Sequence, residues 1–340
     1  MSQIEGGSPT AATVHQWRHL AHRHQISWDE TLLIALNIHG LHSHGDAAAT
    51  VRLKVQPPET EVFQLVVPAG RATSPFTVAD GELRVDGTPV AAVVDLRSDS
   101  SVGGYLRAGG RAATIHPYAG GEATGADSVE AAYTRLLADL AISLPVGNTL
   151  ADLTEVTVSA VTDYDSEAAA IDDLVTLRTA MSRLDMTARI GLLSSMVRSA
   201  EAMERLSAEV APFTLFLNAD HDLDTAVAEQ VLANARNHGH LTSFTYTVGN
   251  DPLDVMRDRL LPLAQYTTVW PSLNILQTPT PDAEAGHIAE PEERLNFFLQ
   301  ARTMLERIFA PTDLKPEPWR NYRGLWNREC AGEPLPGPWI

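Results

Sequence analysis

The chain has 340 residues, of which 44% are hydrophobic and 20% charged, and this composition excludes fibrous and wholly disordered proteins. Its 43 acidic and 25 basic side chains give a net charge of −18, so its surface would repel phosphate backbones and anionic lipid headgroups. No segment has the pattern of a secretion signal or the apolar length of a membrane span. We therefore expect a cytoplasmic protein that binds neither nucleic acid nor membranes.

The chain contains a single cysteine, Cys330. An intramolecular disulfide, a cysteine-rich zinc site and a self-contained iron–sulfur cluster each need several thiolates. The sequence therefore excludes all three.

The first section, residues 1–110, is predicted to contain two helices and then a small β-rich unit. A helix at 13–24 precedes a second helix, for which Ser27 and Glu30 form a capping-box pattern and Gly40 offers a stop. From 51 to 96 the apolar period changes to two, with a second apolar run at 62–67, and Asp86-Gly87 predicts a hairpin turn.

The second section, residues 111–310, alternates apolar strand-like runs with amphipathic helices. The strand starts lie roughly 25 to 32 residues apart from the second strand on, which is the spacing of βα units. Such alternation predicts an α/β fold whose core is a full or partial β/α (TIM-like) barrel. The predicted strands are 112–116, 155–161, 188–193, 213–217, 242–248 and 268–276, and the predicted helices are 128–141, 167–183, 200–208, 223–237, 252–263 and 291–309.

The C-terminal tail, residues 311–340, is rich in proline and tryptophan. Trp319, Tyr322 and Trp326 recur at i, i+3 and i+7, which places them on one stripe of a helix. Because such aromatic side chains need burial, we expect the tail to wrap the barrel, with a subunit interface as the alternative.

Three segments in the second half are distinctive by their order. They are FTYTVGNDPL at 244–253, WPSLNILQ at 270–277, and a helix from 298 to 309 followed by PWRNYRGLW at 318–326. They resemble the fifth strand, the sixth strand, and the closing helix and tail of radical SAM enzymes of the biotin-synthase-like branch. The resemblance covers 187–330 in detail and 112–161 only by the order of elements. It implies that Gly249 and Asn250 end the strand that lies beside the adenine of SAM.

The chain departs from that family at the cluster. The family holds a four-iron cluster on a C-x-x-x-C-x-x-C loop after its first barrel strand, whereas the corresponding region here, 117–128, reads PYAGGEATGADS. Without three thiolates the cluster cannot be bound, and SAM cannot then be cleaved reductively. We therefore expect no iron–sulfur cluster and no radical chemistry. The loss of the cluster does not exclude residual binding of SAM or a nucleoside.

Polar residues follow the predicted barrel strands, where the active sites of β/α barrels lie. Asp220, His221 and Asp163 are the candidates for acid/base chemistry, and Asp220 with His221 could equally belong to a hard-metal site. Helix capping by Asp220, His221, Asp163 and Asp165 is the preferred interpretation. The candidate ligand-binding residues are Asp165, Ser194, Ser195, Asn218, Tyr246, Gly249, Asn250 and Asn274.

Seven of the twelve histidines precede residue 45. His15, His19 and His22 would share one face of a helix, and His39, His42 and His44 follow. Imidazoles at such spacing can bind a transition metal, but a solvated histidine-rich face is the preferred interpretation, so no metal site is assigned.

These features favour a radical-SAM-like barrel that has lost its cluster and acts as a binding or scaffolding subunit for a small polar ligand. Its expected partner is a true radical SAM enzyme in a specialised biosynthetic pathway. The alternative is an enzyme that uses acid/base or metal chemistry on a small polar substrate at the barrel mouth.

Overall fold

The computed structural model describes residues 10–42, 50–60, 62–98, 104–107, 111–117, 128–160, 164–220, 223–277, 291–316 and 325–326. Within these ranges the chain forms eight α-helices and twelve β-strands. One continuous hydrophobic core includes residues from the N-terminal helices, from both sheets and from Leu325 and Trp326.

The two predicted N-terminal helices are present as α1 (Thr10–His24) and α2 (Trp28–His39). Gly40 ends α2 with φ +67°, and a Cβ atom there would lie 2.5 Å from the carbonyl oxygen of Pro68. The predicted stop is therefore confirmed, since only glycine fits this turn. The predicted capping box is wrong: the Ser27 side chain makes no capping hydrogen bond, and Glu30 instead pairs with Arg302.

The β-rich unit is an antiparallel five-stranded sheet of order β2-β1-β5-β4-β3. Asp86 and Gly87 connect β4 to β5, and both have positive φ, 44° and 82°, as a two-residue hairpin turn requires. The hairpin prediction is therefore confirmed. The strands are β1 (Thr50–Gln56), β2 (Phe63–Pro68), β3 (Phe76–Ala79), β4 (Glu82–Val85) and β5 (Thr88–Ser98).

The second sheet has seven strands in the order β12-β11-β10-β9-β8-β7-β6. Strands β7 to β12 are parallel and lie in chain order, and β6 pairs antiparallel with β7. Among the described residues β6 and β12 do not pair, so the sheet is a curled half-barrel and not a closed barrel. The strands are β6 (Gly104–Arg107), β7 (Ala112–Ile115), β8 (Glu155–Ser159), β9 (Arg189–Ser194), β10 (Phe213–Asn218), β11 (Leu241–Val248) and β12 (Ser272–Ile275).

Helices connect the parallel strands, as the alternating pattern predicts. Ser128, Ser166, Ser199 and Asp224 precede four of them, and each side chain accepts a hydrogen bond from a backbone N–H in the first turn. The helices are α3 (Val129–Ile142), α4 (Glu167–Arg183), α5 (Ala200–Glu209), α6 (Thr225–Asn237), α7 (Leu253–Ala264) and α8 (Pro291–Phe309).

The parallel sheet has one apolar and one mainly polar face. Phe244 packs against Phe309 of α8 with ring centroids 6.0 Å apart, so the alternate residues that share its face point toward the helices. These helix-facing residues are mostly buried and aliphatic, for example Val156, Ile190, Leu215 and Leu273. The opposite face, which we call the inner face, holds the alternate residues of the same strands and is described below.

Two residues of the tail, Leu325 and Trp326, are fully buried. The backbone N–H of Leu325 donates to the carbonyl of Leu273 in β12, and the Trp326 ring meets Trp270 edge-on at 5.2 Å. At this point the tail therefore packs on the end of the half-barrel. Trp319 and Tyr322, the other members of the predicted stripe, lie outside the described residues.

Candidate functional site

The strand register gathers uncharged polar side chains on the inner face. Thr157, Gly191 and Thr214 are neighbours across three strands, and Asn218 pairs with Thr245 on the next. Adjacent residues in a parallel ladder project to the same side, so one face collects them all. The uncharged polar residues of the inner face are Thr114, Thr157, Ser159, Thr214, Asn218, Ser243, Thr245, Thr247, Ser272 and Asn274. Two charged residues, Glu155 and Arg189, are paired on the same face at the amino-terminal ends of β8 and β9, and Glu155 Oε1 accepts a hydrogen bond of 3.0 Å from Thr157 Oγ1.

Gly191 makes room for an aromatic ring within this polar face. A Cβ atom at Gly191 would lie 2.8 Å from Thr157 Oγ1 and 2.9 Å from a ring carbon of Phe216. Any larger residue would therefore displace the Phe216 ring or Thr157. The inner face consequently combines hydroxyl and amide groups with the Phe216 ring, the Leu193 side chain and the charged side chains of Glu155 and Arg189.

Three partly exposed polar side chains stand toward the carboxyl ends of inner-face strands. They are Ser159 on β8, Asn218 on β10 and Asn274 on β12. Asn218 Oδ1 accepts a hydrogen bond of 3.3 Å from Thr245 Oγ1, whereas the Ser159 and Asn274 side chains make no hydrogen bond within the described part of the chain. Asn218 and Asn274 were predicted from the sequence. Ser159 was missed, because an isolated serine at a strand end carries no distinguishing pattern.

Asp220 connects two strands and does not cap a helix. Its Oδ1 accepts from the backbone N–H of Thr247 at 2.8 Å, and its Oδ2 accepts from Thr247 Oγ1 at 3.3 Å. Helix α6 begins at Thr225 and is capped by Asp224, so the expected capping by Asp220 is wrong. Thr247 thus fixes both carboxylate oxygens beside β11. His221, its predicted partner, lies outside the described residues.

Tyr246 and Ser194 lie on the helix-facing side of the sheet. The Tyr246 hydroxyl donates to Asp251 Oδ2 at 2.5 Å, and burial together with this carboxylate holds the pKa of Tyr246 well above its usual value. Ser194 Oγ accepts from the backbone N–H of Met196 at 3.0 Å. Both side chains therefore order the turns that follow their strands.

Gly249 is required by packing. Its φ is +113°, and a Cβ atom would lie 3.0 Å from Leu276 Cβ and 3.1 Å from the ring of Phe298. The glycine therefore lets the end of β11 approach β12 and α8. Asn250, the next residue, is partly exposed.

The remaining candidates lie at the edge of the half-barrel or outside the described residues. Asp165 is exposed, and α4 is capped by the neighbouring Ser166 and not by Asp165, so that capping expectation is wrong. Ser195 is partly exposed, and its carbonyl accepts a hydrogen bond from Arg198 Nε. Asp163 lies outside the described residues.

A buried carboxylate that sequence reasoning missed orders the turn after β8. Asp173 Oδ2 on α4 accepts hydrogen bonds from the hydroxyls of Tyr133 at 2.6 Å and Tyr164 at 2.5 Å. All three side chains are almost completely buried. In the sequence Asp173 looks like an ordinary helix-surface residue, because nothing local shows that two tyrosines from other elements converge on it.

The early histidines do not share one environment. His15, His19 and His22 are exposed on α1, and no group of three potential metal-ligating side chains occurs in the described ranges. His39 instead stacks on Trp17 at 5.7 Å, and burial, reinforced by Arg294, lowers its pKa to about 4. His42 Nδ1 lies 2.9 Å from the carbonyl oxygen of Ala72, and His44 is outside the described residues.

Among the helices that the structure describes, none is both long and apolar enough to cross a membrane.

Comparison with known proteins assigns no family. No protein-family model matches the chain, and no curated protein matches it in sequence. Among solved structures, a phospho-2-dehydro-3-deoxyheptonate aldolase (DAHP synthase) from Thermotoga maritima aligns with 78% of this chain and 98% of its own at 10% identity and a TM-score of 0.21. A likeness at that level carries no conclusion about fold or function.

Proposed function

We propose that this protein is a non-radical binding subunit that holds a small, uncharged polar group, of the nucleoside class, on the inner face of its half-barrel. The observation that carries the proposal is the set of Ser159, Asn218 and Asn274, which lie on one face toward the strand ends. Among the described residues, the Ser159 and Asn274 side chains and the NH2 group of Asn218 make no hydrogen bond, whereas Asn218 Oδ1 accepts two. Glu155 and Arg189 lie at the other end of their strands. The three side chains themselves offer hydroxyl and amide groups, which both donate and accept and therefore suit ribose hydroxyls and base edges.

The sequence resemblance to radical SAM enzymes supports the choice of a nucleoside. Two of the segments that carry the resemblance, 244–253 and 270–277, include most of β11, all of β12 and the turns that follow these strands. Asn274 lies within the second segment. The cluster of that family does not fit this chain, because its only cysteine is Cys330. The proposed role is therefore recognition without reductive cleavage.

A true radical SAM enzyme is the proposed partner. A chain that has a β/α half-barrel but lacks the thiolates can contribute binding or scaffolding to a pathway whose radical chemistry is carried out by another subunit. Co-purification with a cysteine-bearing homologue, tested by tagging this full chain, would support the partnership. Separate elution of the two proteins at micromolar concentration would contradict it.

The ligand proposal is tested by calorimetry of the full chain with SAM, S-adenosylhomocysteine and adenosine. We expect saturable binding of at least one of them, weakened about tenfold or more when Ser159→Ala and Asn274→Ala are combined, since each tenfold step is about 1.4 kcal/mol. Ser182→Ala combined with Asn237→Ala is the matched control, because it removes the same two side-chain types at exposed positions near the ends of α4 and α6. Absence of binding at millimolar ligand, or equal affinity of the double variant and the wild type, would overturn the proposal.

The absence of radical chemistry has its own test. Anaerobic incubation with iron and sulfide is expected to give no bound cluster and no SAM cleavage, because one thiolate cannot replace three. Stoichiometric cluster iron together with SAM cleavage by the isolated chain would show that the interpretation is wrong.

A further inference from the structure

A groove runs between α7 and α8 on the outside of the helix layer, and the C-terminal end of α1 reaches it. Its volume is about 520 Å³. We call it the α7–α8 groove and define it by its lining residues, which are His24, Leu253, Arg257, Leu261, Gln300, Thr303, Met304, Arg307 and Ile308.

The groove follows from helix periodicity. Leu253, Arg257 and Leu261 recur every four residues and form one stripe along α7. This stripe is distinct from Met256 and Leu260, which are buried toward the sheet. Leu261 is 55% exposed, so the described fold leaves a large apolar side chain uncovered at the edge of the groove.

The charges of the groove have the opposite sign to those of the whole protein. The chain carries a net charge of −18, yet the groove is lined by Arg257, Arg307 and His24 and by no aspartate or glutamate among the described residues. Within the described ranges, the Arg257 guanidinium donates two hydrogen bonds to its exposed neighbour Asp258, and Arg307 makes no hydrogen bond or ion pair. The Arg307 guanidinium is therefore available to an anion from outside, and Arg257 can reach one by exchanging an exposed carboxylate partner that contributes little stability.

We propose that the α7–α8 groove binds a small amphipathic anion. Its apolar body lies on Leu253, Leu261, Met304 and Ile308, and its carboxylate or phosphate is held by Arg257 and Arg307. A volume of about 520 Å³ is within the range of small-molecule sites, and arginine is the residue best suited to these planar or tetrahedral anions. The site lies on the helix-facing side of the sheet, so it is separate from the proposed nucleoside site on the inner face.

The probes are chosen to separate charge from apolarity. Decanoate and decyl phosphate distinguish a carboxylate from a phosphate ligand, while decanol and decyltrimethylammonium keep the apolar chain without the negative charge. We expect calorimetry of the full chain to show saturable binding of one anion below its micelle concentration, with binding of the neutral and cationic probes at least tenfold weaker. Equal binding of all four probes would overturn the proposal, and so would binding of none.

Substitutions then locate the site. Arg257→Gln combined with Arg307→Gln is expected to weaken anion binding about tenfold or more, and Leu261→Glu to do the same. Arg97→Gln with Arg205→Gln removes the same charge outside the groove and should leave the affinity unchanged. Melting temperatures show whether each variant is folded. If the wild type sediments as a dimer that Leu261→Glu dissociates, a second copy covers the groove and the small-molecule proposal is wrong.

Discussion

The guanidinium group of Arg302 on α8 donates a hydrogen bond of 2.5 Å to the Glu30 carboxylate on α2, although 272 residues separate them in the chain. Their side chains are only 3% and 2% exposed. A second carboxylate, Glu306, lies 3.3 Å from Arg302, and burial raises its pKa, although Arg302 opposes this effect. Arg302 also lies 5.2 Å from the centre of the Trp326 ring. One buried cation thus connects the N-terminal helices, the last helix and the tail.

Glu30→Gln is expected to destabilise the protein by about 3 kcal/mol. The substitution keeps the shape of the side chain but leaves the buried Arg302 with one carboxylate fewer, and breaking buried pairs typically costs this much. Chemical denaturation at neutral pH measures the free energy of unfolding. Glu209→Gln, which disrupts an exposed pair with Arg205, is the control and should have no measurable effect. A similarly small effect of Glu30→Gln would contradict the prediction.

Trp326→Ala is expected to lower the free energy of unfolding by about 3 to 5 kcal/mol. The indole is fully buried between Trp270 and Arg302, so truncation leaves a large cavity and removes a cation–π contact. Trp326→Phe keeps an aromatic ring in the same place and should cost much less. If both variants unfold like the wild type, the tail does not contribute to the core in solution.

Thr214→Val is expected to stabilise the protein by about 1 kcal/mol. Thr214 is fully buried, and its hydroxyl has no hydrogen-bond partner within the described residues, so replacing it by a methyl group removes a desolvation cost. Thr242→Val is the matched comparison on a neighbouring strand. Its hydroxyl donates to the Tyr266 carbonyl at 2.5 Å, and its loss should destabilise by about 1 kcal/mol or more. Changes of the same sign in both variants would refute this prediction.

Tyr164→Phe is expected to destabilise the protein by about 1.5 to 3 kcal/mol, since it removes a hydrogen bond to the buried carboxylate of Asp173. Tyr133→Phe removes a second hydrogen bond to the same oxygen and should have a similar cost. Tyr266→Phe serves as control, because its hydroxyl makes no hydrogen bond in the described part of the chain. Thermal unfolding provides the measurement. Equal melting temperatures for Tyr164→Phe and Tyr266→Phe would contradict the proposed network.

His39 is expected to make stability depend on pH between about 6.5 and 4. Burial lowers its pKa to about 4 in the folded state, whereas the unfolded chain has the ordinary value of 6.5. In this window the unfolded state binds more protons, so the contribution of neutral His39 is complete above pH 6.5 and is lost as the pH falls toward 4.

The measurement for His39 is the difference in unfolding free energy between the wild type and His39→Phe, which retains a ring against Trp17. Relative to His39→Phe, the unfolding free energy of the wild type should fall by roughly 3 kcal/mol from pH 7 to pH 4, since each pKa unit corresponds to about 1.4 kcal/mol. His19→Gln, at an exposed position on α1, should show a constant difference. A constant difference for His39→Phe as well would mean that His39 titrates normally.

Local patterns in the sequence were sufficient for the order and type of the elements. The change of apolar period from two to the βα alternation located all six parallel strands. In the N-terminal section Gly40 marked the end of α2 and Asp86-Gly87 marked a hairpin turn, because backbone conformation at these places depends on the residue itself. The alternation of residue types along each strand also separates the polar residues of the inner face from the apolar ones. The sequence alone does not show which of the two faces packs against the helices.

The tertiary structure alone decided what the polar side chains do. Glu30 has the spacing of a helix cap but pairs with Arg302, Asp220 has the position of a cap but holds Thr247, and Asp173 looks exposed but receives two tyrosines. In each case the partner lies on another element. A carboxylate removed from water needs a hydrogen-bond donor, and the fold decides which donor lies within reach. The same holds for the α7–α8 groove, since a stripe on one helix becomes a site only when a second helix packs beside it.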